Sequence, residues 1–153
     1  MDTAEMIAMA YLDDLTDEEL LVRPAEGANH ILWQLGHLVA SEHQMLSQLS
    51  DPPRPPLPEG FADRYHRDQA AVDDPAAFDS REQLMQLYRE QRDATLAQLD
   101  QLSDEQLDEA TPEEMQGYAP TVGAALAMQG THWTMHSGQW AVIRRQLGRP
   151  PVF

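Results

Sequence analysis

The chain has no cysteine, which excludes disulfides, thiolate metal sites and cysteine nucleophiles together. Basic residues are scarce: 10 Lys and Arg stand against 26 Asp and Glu, a formal charge of −16. A field of that sign repels phosphate backbones and attracts cations, so nucleic acid is not an expected partner. The same acids are also accounted for as solvated helix faces. No apolar run approaches the roughly 18 residues of a membrane span, and no basic leader precedes an apolar stretch. No membrane partner is expected, and a cytoplasmic location fits a chain without disulfide chemistry. Strand-length alternation of apolar and polar residues is missing too, as is a glycine-rich phosphate loop.

Helical periodicity remains. At 153 residues the chain is expected to form a single domain, 1–153. The first helix is predicted over Thr3 to Asp14, with Met6, Ile7, Ala10 and Tyr11 on one face. The second runs from about Asn29, as N-cap, to Leu49, with a core stripe of Ile31, Leu35, Leu38, Val39, Met45, Leu46 and Leu49. The third opens at Ser80 with a capping pattern completed by Gln83 and continues to about Gln101. The fourth covers Thr121 to Leu147 and stops at Gly148, with Arg144 and Arg145 suited to the negative end of its dipole. Between helices two and three, residues 51–79 begin with a proline-rich run that cannot be helical, then form a long loop with one helical turn. Leu15-Thr16-Asp17-Glu18-Glu19-Leu20 is echoed by Leu102-Ser103-Asp104-Glu105-Gln106-Leu107, a hint of two related hairpins. The fold class expected is all-α, a four-helix bundle with one long crossover.

Chemistry concentrates in helix four. His132 and His136 are four apart, so their imidazoles share one face and can address one point. Imidazole suits zinc, nickel, copper and iron. The third ligand is expected from His37, on a flank of helix two with Trp33, Gln34, Ser41 and Gln44. Three histidines leave an open coordination position, as in catalytic rather than structural sites. Trp133 stands where a metalloprotease would carry its glutamate, and no Glu-x-x-His pair of the di-iron kind is present. Trp33 and His30 are substrate-pocket candidates, although Trp33 is also a packing residue and His30 a capping or surface one. Gln139 either orients a ligand histidine or caps a polar seam. His43 and His66 are expected to be solvated.

Asn29-His30-Ile31-Leu32-Trp33-Gln34-Leu35-Gly36-His37-Leu38 and the following residues resemble the Gly-His-Leu helix of the DinB-like (YfiT-like) superfamily. Thr121-Val122-Gly123, His132, His136 and Ser137-Gly138-Gln139 through Arg149-Pro150 resemble that family's last helix. The resemblance implies a four-helix bundle holding a divalent metal, typically zinc or nickel, with three histidines at the positions of His37, His132 and His136. It also implies an activity: some members are transferases or isomerases that use a low-molecular-weight thiol, others metal-dependent hydrolases, and many resemble homodimers. The leading expectation is a thiol-dependent S-transferase acting on a small-molecule substrate, in which the metal lowers the thiol's pKa. A hydrolase using metal-bound water and a non-catalytic metal or ligand-binding stress-response protein are the alternatives.

Overall fold

The computed structural model describes residues 2–49 and 53–153; the first residues of the predicted extended run therefore lie outside the described residues. Among the described residues there are six α-helices and no strand: α1 (Asp2–Leu12), α2 (Ile31–Ser47), α3 (Phe61–Arg64), α4 (Arg81–Leu99), α5 (Asp104–Leu107) and α6 (Val122–Gln146). Four are long, where the sequence periodicity places them, and α3 and α5 are single turns. α6 packs against α1 and α2, and α4 packs on α2. The core forms where their apolar faces meet, with Ala8, Leu12, Ile31, Leu35, Leu38, Leu84, Tyr88, Trp133, Trp140 and Ile143 all buried. A smaller cluster around Leu46, Met115, Ala125 and Leu126 closes the other part of the bundle.

Local signals set the helix ends. Ser80 and Gln83 form a reciprocal capping box at the start of α4. Thr121 caps α6 by accepting from the Ala124 amide, and Gly148 takes the left-handed conformation at φ 71° that stops it. The two acidic echoes carry the same device: Thr16 pairs reciprocally with Glu19, and Ser103 with Gln106. Asn29, in contrast, does not cap α2. His30 does, its Nδ1 accepting from the Trp33 amide at 3.1 Å. Because Nδ1 accepts, Nε2 carries the proton and donates to the Val72 carbonyl at 3.1 Å.

The crossover is more structured than a loop with one turn. After an extended stretch from Pro53 to Pro58 it forms α3 and two 3₁₀ turns, Arg67–Gln69 and Pro75–Ala77. It is also anchored at several points. Phe61 and Tyr65 enter the core, and Arg23 donates to the carbonyls of Ala70 and Val72. Arg54 is buried against α4, donating to the Gln91 carbonyl and the Thr95 hydroxyl. The same network holds Glu42, which pairs with Arg92 at 2.9 Å and accepts from Thr95 at 2.6 Å. His43, expected to be solvated, is half-buried and drawn in as well: its Nδ1 donates to the Gln91 side-chain oxygen at 3.1 Å. His66 is exposed, as expected. Arg144 and Arg145 lie in the last turn of α6, as expected, and Arg144 has a further role. It is buried and paired with Asp14, tying α6 to the end of α1.

Candidate metal centre

The helical spacing of His132 and His136 brings their Nε2 atoms to 3.2 Å from one another. His37 reaches the same point from α2, its ring centroid 5.2 Å from that of His132 and 5.6 Å from that of His136. One nitrogen from each of the three rings lies within 4.8 Å of the others. Tetrahedral ligation with bonds of about 2.0–2.1 Å separates ligand nitrogens by about 3.3 Å, which the His132–His136 pair already meets. His37 needs to close by at most about 1.5 Å to match that spacing. The donor set thus fits a divalent transition metal.

Each ring is held differently. The His37 imidazole lies flat on Trp33, with centroids 4.8 Å apart and planes 7° apart. Trp33 sits one turn earlier on α2 and is buried, so it acts as the wall behind His37. Gly36 explains why a glycine precedes this histidine: a Cβ there would lie 2.1 Å from Cε1 of Tyr65. The crossover ring therefore rests directly on the α2 backbone beside His37.

His136 is fixed by hydrogen bonds. Its Nδ1 is 2.9 Å from Oε1 of Gln34, and the same oxygen accepts from Trp140 Nε1 at 2.7 Å. Gln34 Nε2 donates to the Asn29 carbonyl at 2.6 Å and to Gln139 Oε1 at 3.1 Å. Gln139, the sequence candidate for orienting a ligand, thus stands one step behind Gln34, which touches His136 itself. The sequence places Gln34 on the His37 flank of helix two but carries no sign of its contact with His136. His30 is fully buried with both ring nitrogens engaged, which leaves neither for a substrate.

Burial sets the protonation of the cluster. His136 is pushed down to about 3 by burial, helped by the neighbouring His132 and His37. His132 is pushed down to about 4 by burial and by His37, and His37 is lowered by burial. All three are therefore neutral at pH 7, the form in which imidazole binds metal. His136 is buried, while His37 and His132 stay partly accessible.

The sequence profile of the DinB superfamily matches residues 1–140. A solved structure, described as that of a conserved protein from Enterococcus faecalis, superposes with a TM-score of 0.67 at 22% identity. The alignment covers 97% of this chain and 93% of that one, and at this identity the likeness speaks for the fold. Among curated proteins none is significantly similar. With an all-helical fold, a three-histidine cluster compatible with metal binding and a profile match over most of its length, the chain belongs to the DinB superfamily.

Proposed function

We propose that His37, His132 and His136 hold one divalent ion, zinc or nickel, and that the chain is a metal-dependent enzyme using a low-molecular-weight thiol to transform a small molecule. The observation that carries the metal reading is the convergence of three neutral imidazoles from two helices on one point. The thiol reading rests on the likeness to thiol-dependent members of the family. Bound there, a divalent ion supplies Lewis acidity and lowers the pKa of a thiol or water at its open position. The protein's own residues prepare the site. Trp33 holds the His37 ring and keeps one side of it dry, Gln34 holds the His136 ring from behind, and partial access to His37 and His132 leaves a way in for substrate.

Turnover of thiol-reactive electrophiles by the zinc- or nickel-loaded protein, with and without added thiol, tests this reading. Product formation that requires both metal and thiol supports it. Metal-dependent turnover without thiol moves the assignment to a hydrolase. Metal uptake with no lowering of any thiol's apparent pKa and no turnover leaves a binding protein.

A further inference from the structure

We infer that Gln34 is a positioning residue that fixes His136 as its Nδ1–H tautomer, so that Nε2 always faces the cluster with a free lone pair. The inference rests on the metal reading for its purpose but not for its geometry. Four contacts decide the orientation of the Gln34 amide, and two admit no alternative. Trp140 Nε1 can only donate, so the atom it meets at 2.7 Å must be the Gln34 oxygen. The Asn29 carbonyl can only accept, so the atom facing it at 2.6 Å must be the Gln34 nitrogen. Both constraints give the same orientation, and Gln139 adds a third contact on the nitrogen side.

An oxygen that already accepts from an indole faces His136 Nδ1 at 2.9 Å, and two acceptors cannot share that distance without a proton. Nδ1 of His136 therefore carries the hydrogen. In a neutral imidazole Nε2 is then bare. It lies 3.2 Å from Nε2 of His132, which must donate to it in the metal-free protein. His132 consequently carries its proton on the nitrogen that faces the cluster, and would have to carry it on Nδ1 to offer that nitrogen to a metal. His136 is locked and His132 is switchable. The cluster's buried member is the permanent ligand, oriented through Gln34 by an indole from its own helix and a carbonyl ahead of α2.

Nitrogen-15 NMR of the imidazoles tests this, with His136 assigned by comparison with His136→Gln. In the metal-free wild type, His136 is expected as Nδ1–H and His132 as Nε2–H; on zinc addition His132 changes tautomer and His136 does not. Gln34→Leu is expected to release His136 into a tautomer mixture and to raise the zinc dissociation constant about 10–100-fold, the usual effect of losing a partner that orients a ligand. Trp140→Phe, which keeps the Gln34–Asn29 contact, should leave His136 as Nδ1–H. An Nε2–H His136 in the wild type, or a Gln34→Leu protein whose His136 tautomer is unaltered, overturns the inference. The metal-free wild type decides it even if Gln34→Leu does not fold. A wild type that takes up no zinc refutes the metal reading separately, because the tautomers are read without metal.

Discussion

Replacing Gly36 by alanine should destabilise the protein although alanine is the better helix former. A methyl at this position would lie 2.1, 2.2 and 2.4 Å from Cε1, Cδ1 and Cζ of Tyr65. Carbon atoms in contact normally stay about 3.5–4.0 Å apart, so the ring would have to withdraw by more than an ångström. It has little room to do so. Tyr65 is 1% exposed; its hydroxyl accepts from the Asp79 amide at 2.8 Å and donates to the Asp79 carboxylate at 3.0 Å. Phe61 and Phe78 flank it at ring-centroid distances of 4.6 and 5.8 Å. Overpacking of this kind costs about 1–3 kcal/mol, with this site at the upper end. Removing a glycine from a helix interior returns about 0.5–1 kcal/mol. The expected net loss is about 2–2.5 kcal/mol, a fall in Tm of about 4–10 °C for a domain of this size. Gly138→Ala is the internal control: it is the same change within α6, where nothing lies within 4 Å of the added carbon. It should gain about 0.5–1 kcal/mol. Urea unfolding of both variants reads the difference. If Gly36→Ala is as stable as Gly138→Ala, Tyr65 does not rest on the α2 backbone as described, and the crossover does not brace His37.

Other perturbations have expected outcomes of defined sign. Glu42 is the carboxylate facing both Arg54 and Arg92, all three nearly fully buried. Glu42→Ala should cost about 3–5 kcal/mol, because it leaves buried guanidinium groups uncompensated, and a loss under about 1 kcal/mol by chemical denaturation would contradict that. Acid should destabilise the metal-free protein well before its carboxylates titrate. The unfolded chain takes up protons on His132 and His136 below their ordinary 6.5, whereas the folded chain refuses them until about 4 and 3. Stability is thus full above pH 6.5 and declines as the pH falls toward the folded values, where this contribution levels off. Urea midpoints at pH 7 and pH 5 should differ in the wild type and differ less in His132→Asn, His136→Asn, where the burial of His37 and His30 still contributes; an equal difference in the double variant assigns the acid response elsewhere.

The parts of this molecule legible in the sequence are those set by neighbours along the chain. The Ser80–Gln83 box, the Thr121 cap and the Gly148 stop each involve residues within a turn of one another. The apolar stripe of α2 places His37 on a seam, and helical spacing pairs His132 with His136; that the three would meet was implied by the family resemblance. What escaped depends on the path of the crossover and on helix–helix register. His30 caps α2 in place of Asn29 because the carbonyl of Val72, 42 residues away, receives its other nitrogen. Gln34 meets residues more than a hundred positions away, and periodicity places it on the His37 flank without showing which residue it touches. Arg54 sits in a segment whose prolines announce only extension, while its guanidinium is fixed by Gln91 and Thr95 of a later helix. His43 is recruited by that same network. Long-range polar contacts of this kind have no period for a sequence to display.

Metal content of the purified, tag-free protein measures the central claim most directly, with His37→Ala and His132→Ala beside the wild type. The account predicts about one equivalent of zinc or nickel in the wild type and a comparable loss of affinity in both variants, because all three imidazoles converge on one point. Full retention in His37→Ala would remove the α2 ligand and reduce the centre to a helix-six pair. No uptake by the wild type, even after reconstitution, would contradict the metal centre altogether.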